Sequence, residues 1–327
     1  MVCIAPAQGY GEAVSVAKVR EALASVVTIN VTPFDADGAV DAAVYAALAR
    51  RCVDAGIDVL TANGNTGEFY SLSRAERDLA VATTVEAAGD RATVLAGVGH
   101  EVAGAVAEAR VAAGAGAHGV MVHQPVHPYQ STDGWVDYHR RIADAVPDLG
   151  VVCYVRNARL GAAAFTALAD ACPNVVGVKY AVPDPLALAD LVGAVGADRW
   201  VWSCGLAETW APYFWQSGAR GFTSGLATVA PRHSLDLLHR LRAGDFAGAM
   251  DLWRRLRPFE DLRARDGSAL NVSVVKEALA QLGLCRSDVR PPISPLNAGE
   301  RAEVSAILAA LDRENADWAP LRQAARL

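Results

Sequence analysis

Residues 150–179 read GVVCYVRNARLGAAAFTALADACPNVVGVK. Two short apolar runs, Gly150–Val155 and Val175–Lys179, enclose an Ala/Leu-rich stretch with helical spacing. Apolar runs without polar alternation suit strands buried on both faces, as in a parallel sheet covered by helices. The same strand, turn and helix recur outward in both directions. Strands are expected at Val26–Val31, Ile57–Ala62, Thr93–Val98, Gly119–His123, Trp200–Cys204 and Arg220–Ser224, and helices at Val40–Ala55, Arg74–Ala88, Val102–Ala115 and Trp135–Ala145, among others.

Eight strands alternating with helices predict an α/β fold, a (β/α)8 TIM barrel. An open doubly wound sheet is the main rival. It would normally show a dinucleotide or phosphate fingerprint opening a helix, and no predicted strand here leads into one. After Ser224 the strand signal stops, and helices are expected at Arg232–Arg242, Phe246–Leu262, Ser268–Leu282 and Glu300–Asp312, with a Pro-rich link at Arg290–Pro295. The expected division is an N-terminal segment (1–24), a barrel (25–231) and a C-terminal helical region (232–327) that serves packing or subunit contact.

Composition narrows the function. The chain has 327 residues, a size at which single barrels are common, and 52% hydrophobic content, enough for a large core. A net charge of -6 with no basic run leaves no footprint for nucleic acid. No apolar stretch approaches a membrane span, and the start, MVCIAPAQGYGEAVS, lacks the pattern of an export signal. Six scattered cysteines without a CxxC pair read as free thiols of a cytoplasmic protein.

In such a barrel, reactive side chains stand at the C-terminal ends of the strands. That rule selects Asn65, Thr66, Glu68, His123, His127, Tyr154, Lys179, Ser203, Glu208 and Ser224. Lys179 closes an apolar strand. Desolvation there would lower its pKa and supply a neutral amine able to attack a carbonyl, whereas a lysine snorkelling to solvent would do nothing. Tyr154 ends the adjacent strand, roughly 4.8 Å away, and a phenol there could relay protons or be an ordinary core tyrosine. The turn Gly64-Asn65-Thr66-Gly67-Glu68 offers an amide, a hydroxyl and backbone N–H groups that could hold a carboxylate, or it could be a plain βα turn. His123 and His127 are four apart, but Pro125 and Pro128 break any helix, which removes the spacing argument for a metal.

Lys179, Tyr154 and GNTGE, with VTPFDADG (31–38), GNTGEFYSLS (64–73), VLAGVG (94–99), CYVRNARLG (153–161) and VVGVK (175–179), fall in one order along the chain. Together they resemble the dihydrodipicolinate synthase/N-acetylneuraminate lyase superfamily, over about Val26 to Leu311. The resemblance implies Lys179 as a Schiff-base lysine, Tyr154 as a proton relay, and Asn65 and Thr66 as the carboxylate-holding turn. It implies substrate contacts for Arg159, Gly205, Glu208 and Ser224. His127 falls where synthases place a tyrosine from a neighbouring subunit.

Several stretches look most like 5-dehydro-4-deoxyglucarate dehydratases: YVRNARL beside their YNRDN, CPNVVGVK beside CPNLVGFK, and the NVSVVKEAL and VRPPISPL segments. The chain departs from the common pattern at HQPVHPY (123–129), Asn65 and Tyr180, all at the barrel mouth. The resemblance implies a class I (Schiff-base) lyase on a 2-oxo acid that dehydrates a keto-deoxy sugar acid, with or without decarboxylation. A pyruvate-dependent aldolase or synthase is the alternative. A catalytically silent 2-oxo-acid-binding barrel and a metal-dependent class II aldolase are further rivals. No cofactor and no metal are implied, since the lysine itself is the electron sink. A small 2-oxo acid is the expected partner, with neither nucleic acid nor membrane, in a homodimer or homotetramer.

Overall fold

A computed structural model describes residues 12–312. The first eleven residues, Cys3 among them, and the last fifteen of the C-terminal region lie outside the described residues. Strands β1 (Val26–Ile29), β2 (Val59–Ala62), β3 (Thr93–Val98), β4 (Gly119–Val122), β5 (Gly150–Val155), β6 (Val175–Tyr180), β7 (Val201–Cys204) and β8 (Gly221–Ser224) pair in sequence order. Every pairing is parallel, and β8 returns to β1, so the barrel closes. Helices α1 (Glu12–Ala22), α2 (Ala42–Asp54), α3 (Arg74–Ala88), α4 (Val102–Gly114), α5 (Thr132–Ala145), α6 (Ala162–Ala171), α7 (Pro185–Val195), α8 (Ala207–Gln216), α9 (Leu226–Val229) and α10 (Pro231–Arg242) follow in order. All but α1 lie between or after strands. The C-terminal helices are α11 (Phe246–Ser268), α12 (Asn271–Gln281) and α13 (Ala298–Asp312).

The expected barrel is therefore the observed fold. Residues Gly114–Gly119, GAGAHG, do have dinucleotide spacing, but they lead from α4 into β4. The fingerprint runs the other way, from strand to helix, so the run carries no such reading. The division expected after residue 231 falls at the start of α10, which packs against α8 and β1 where the eighth βα unit closes.

Strand residues alternate between two cores. Outward residues such as Val26, Leu60, Val120, Val151 and Trp202 meet the helices. Inward residues Val27, Ile29, Val59, Leu95, Val152 and Val176 form a separate floor cluster with Val19 of α1 and Leu23 just after it. The N-terminal segment is thus a plug: α1 closes the bottom of the barrel. Fully burying Val19 and Leu23 contributes about 1.5–3 kcal/mol each. Glycines leave room for the plug. A Cβ at Gly150 would sit 2.6 Å from Val19 Cβ, and one at Gly177 2.6 Å from Leu23 Cδ1 and 2.8 Å from the Val201 carbonyl oxygen.

Gly177 has a second consequence. Val151 pairs with Val175, but Val152 pairs with Gly177, so β6 carries one extra residue at this point. Val176 and Gly177 both face the floor, and the alternation resumes one step out of phase. Plain alternation from outward-facing Val175 would turn residue 179 outward. The bulge turns Lys179 into the barrel, level with Tyr154 on β5 and Ser203 on β7.

Gly177→Ala should therefore overpack the bulge, because the Val201 carbonyl cannot move aside as a side chain can. A loss of about 1–3 kcal/mol is expected. Urea denaturation with an unchanged slope would read it, and an unaltered midpoint would contradict the packing described.

Candidate active site

The inward side chains at the strand ends surround a cavity of about 390 Å³. It is lined by Ile29, Asn65, Thr66, Tyr154, Arg156, Lys179, Gly205 and Thr223 from the barrel, Thr209 and Trp210 from α8, and Glu260, Arg263 and Asn271 from the C-terminal helices. Lys179 is 5% exposed, and its Nζ lies over the Tyr154 ring, 4.3 Å from the centroid. The ring face favours the ammonium by roughly 0.5–2 kcal/mol. Opposing influences win: burial first, then the positive charges of Arg156 and Arg263, bring the lysine pKa down to about 7. The amine is then uncharged in a substantial fraction of molecules near neutral pH.

Asn65 Nδ2 donates to the Tyr154 hydroxyl at 3.3 Å. Burial raises the Tyr154 pKa, against the Arg156 charge and hydrogen bonds from Arg156 and Asn65. The phenol thus keeps its proton and stands beside the turn. Gly205 admits the lysine stem: a Cβ there would lie 3.0 Å from Lys179 Cγ.

The GNTGE turn is a short 3-10 segment, Asn65–Gly67, followed by Glu68 at φ 60°. It presses on the end of β1, where a Cβ at Gly67 would sit 2.7 Å from the Asn30 carbonyl oxygen and Thr32 Oγ1 donates to Gly67 O at 2.8 Å. Glu68 does not line the cavity. Its fully buried carboxylate accepts from Lys276 Nζ on α12 at 2.5 Å and from the Arg290 backbone N–H at 2.9 Å. Lys276 also lies over the Phe34 ring and donates to the Asp288 carbonyl oxygen. The motif's acidic residue thus ties the turn to the C-terminal helices.

Not every expected residue meets the cavity. Asn65, Thr66, Tyr154, Lys179 and Gly205 line it together. Ser224 does not, because on β8 the inward residue is Thr223, so Ser224 points to the helical layer. There Ser224 and Ser234 donate to Glu208 Oε1 at 2.6 and 2.5 Å. Glu208 is completely buried behind the wall, and burial together with the Glu260 charge raises its pKa. Arg159 is exposed. Its backbone N–H donates to Asn157 Oδ1, a local turn that sends it away and leaves Arg156, the first residue after β5, at the cavity. His127 is exposed on the loop after β4, its Nδ1 bonded to the backbone of Tyr129. His123 is buried beneath Phe69, stacked at 4.1 Å, with Nε2 on the Asn63 carbonyl oxygen, and burial lowers its pKa to about 3. Among the described residues no group of three or more His, Cys, Asp or Glu could hold a metal, and no helix is long and apolar enough to cross a membrane.

Sequence reasoning missed Arg156, Glu260, Arg263 and Asn271. Arg156 stands in the quoted YVRN, where its place after the strand was the available signal. Glu260 and Arg263 fall in helical phase with Leu252, Leu256 and Phe259, so two charges on a buried stripe were the sign.

Residues 22–311 match the model of the dihydrodipicolinate synthetase family. The chain belongs to that family. Its relatives carry two kinds of name. A 4-hydroxy-tetrahydrodipicolinate synthase of Mycolicibacterium paratuberculosis is 34% identical over 278 residues, 84% of this chain and 90% of that protein. A probable 5-dehydro-4-deoxyglucarate dehydratase of Rhodococcus opacus is 35% identical over 254 residues, 76% of this chain and 82% of that protein. The crystal structure of dihydrodipicolinate synthase from Oceanobacillus iheyensis superposes with a TM-score of 0.87 at 36% identity, covering 91% of this chain and 99% of that one. The chain is accordingly a class I lyase of this family.

Lys276→Met should leave the Glu68 carboxylate buried without its counter-ion. A loss of about 3–5 kcal/mol is expected. Thermal denaturation would detect it, and an unchanged midpoint would mean that the pair does not anchor the turn.

Proposed function

We propose that this lyase dehydrates and decarboxylates a keto-deoxy sugar diacid of the 5-dehydro-4-deoxyglucarate type, with Lys179 as the covalent catalyst and Tyr154 as the proton relay. The observation that carries this reading is a buried lysine, its pKa brought down to about 7, in a cavity also lined by two arginines. In this reading Asn65 and Thr66 receive the carboxylate next to the ketone, Gly205 gives the lysine room, and Arg156 meets the distal carboxylate. Arg156 takes the part expected of Arg159, which is directed to solvent. Glu208 and Ser224 act from behind the wall rather than on the substrate.

The chemistry balances without a cofactor. The Lys179 amine adds to the ketone, and water leaves to give an iminium. Loss of a proton from the neighbouring methylene forms an enamine, which expels the hydroxyl on the next carbon as water. The conjugated iminium then accepts the electron pair of the bond to the distal carboxylate, releasing carbon dioxide. Protonation, tautomerisation of the enol to an aldehyde and hydrolysis return the free lysine and a five-carbon dioxo acid. The water consumed in hydrolysis repays the one lost in forming the iminium, so the net products are the dioxo acid, one carbon dioxide and one water. Tyr154 carries protons in forming and breaking the carbinolamine, held by Asn65 at its hydroxyl.

A cytoplasmic setting is part of this reading, supported by the five described cysteines, all free thiols. So is a homodimer or homotetramer, supported by the exposed Val126 and Tyr129 on the loop that carries His127. His127 does not reach the cavity of its own chain and would act only on that of a neighbouring copy.

Borohydride trapping with 5-dehydro-4-deoxyglucarate should add mass at Lys179, and product analysis should give carbon dioxide and a five-carbon dioxo acid. Pyruvate as product would instead favour the aldolase reading, and no adduct with pyruvate or any keto-sugar acid would end both. Lys179→Met should abolish the adduct, and Tyr154→Phe should lower kcat by roughly 10²–10⁴-fold. The pH dependence follows from the neutral amine being the reactive form. Capture should fall tenfold per pH unit below about 7 and level off above it. A profile still rising towards pH 10 would show a fully hydrated lysine.

A further inference from the structure

The long C-terminal helix α11 ends inside the cavity. Its buried face carries Glu260 and Arg263, 5% and 4% exposed. Arg263 Nη1 donates to both carboxylate oxygens of Glu260, at 2.6 and 2.8 Å. Its Nε donates to the Asn271 carbonyl oxygen at 3.3 Å and its Nη2 to Asn271 Oδ1 at 3.2 Å. Gly225, at the end of β8, makes the space: a Cβ there would lie 2.5 Å from Arg263 Nη2. Beyond Arg263 the helix breaks. Asp266, Gly267 and Ser268 take φ values of 53°, 68° and 73°, and the break lets Gly267, Ser268 and Asn271 join Arg263 on one wall.

None of this serves stability economically. A buried ion pair is commonly no better than well-packed apolar residues in its place. Two non-glycine residues in the left-handed region add about 1–3 kcal/mol of strain each, a feature that gathers at functional sites. The arrangement is better explained by what it offers a ligand. Glu260 presents acceptors, while Arg263 and Asn271 present donors a few ångströms away. A carboxylate or phosphate would find the arginine charge already neutralised by Glu260. An apolar chain would leave buried polar groups unmatched. A hydroxyl both donates and accepts, and a pair of hydroxyls on adjacent carbons fits such a mixed wall.

We propose that Glu260, Arg263 and Asn271 form a polyol-reading subsite that recognises the hydroxyl-bearing carbons of the substrate, beyond the carbon bonded to Lys179. The assignment rests on the Schiff-base reading of the cavity and narrows it, since it makes hydroxylated keto acids the preferred class over their deoxy analogues. The C-terminal helices, expected to serve packing or subunit contact, then set specificity.

The test compares 5-dehydro-4-deoxyglucarate with 2-oxoadipate, a diacid of the same chain length that lacks both hydroxyls. Half-saturating concentrations for borohydride capture would be measured for both compounds on the full chain, in the wild type and in Glu260→Gln, Asn271→Ala and Gly225→Ala. Gly225→Ala reaches the cluster from the opposite side by displacing the Arg263 guanidinium, and its backbone conformation is one alanine accepts. Pyruvate capture in each variant serves as the common reference for any damage around Lys179. The wild type should favour the hydroxylated compound, and each variant should lose roughly 10- to 100-fold of that preference after referencing. Preference unchanged within about twofold in all three variants, with pyruvate still captured, would overturn the subsite alone. A wild type that captures neither pyruvate nor either diacid would overturn the Schiff-base reading and the subsite with it.

Discussion

A lysine that faces into a closed barrel has to give up most of its water, and that single constraint organises the molecule. The β6 bulge puts Lys179 there by resetting the side-chain alternation between Val175 and Lys179. Gly177 makes the bulge tolerable, since a side chain would strike both Leu23 and the β7 backbone. The bottom plug and the mouth of the cavity are therefore linked through one strand. Leu23 fills the space that Gly177 leaves, and two residues further along the same strand reaches the cavity.

With the amine so placed, its surroundings are cationic. Arg156 and Arg263 add to the effect of burial on the lysine, and each has a separate hold on its position. Arg156 follows directly from the end of β5, whereas Arg263 is fixed by Glu260 and Asn271. Under the proposed reading Arg156 attracts the anionic substrate, whereas the Arg263 charge is already offset by Glu260. Burial first, and then the two arginines, keep the amine partly neutral, so in this reading Arg156 serves both binding and nucleophilicity.

The C-terminal helices are part of this machinery from two directions. Lys276 of α12 holds Glu68 and with it the turn carrying Asn65 and Thr66. Glu260 and Arg263 of α11 form the opposite wall. Relatives named as synthases and as dehydratases both match most of this chain, so under the proposed reading differences in reaction are expected in the walls rather than in the floor.

The sequence by itself determined the barrel, because eight apolar runs separated by helical stretches have few other ways to bury both faces of each strand. It also placed Lys179, Tyr154 and GNTGE at strand ends, where the fold exposes side chains, while the roles proposed for them came from the family resemblance. Tertiary structure decided which neighbouring residues share the cavity. Ser224 and Thr223 are adjacent in sequence, yet only the latter faces inward, and a one-residue phase is invisible in short apolar strands. Arg159 and Arg156 are three residues apart in a loop whose direction depends on an Asn157 turn. Glu260 and Arg263 arrive from about 80 residues beyond Lys179, and no local pattern says which surface a buried helical charge will meet. Periodicity records that a side chain is buried; only the packed chain fixes what it is buried against.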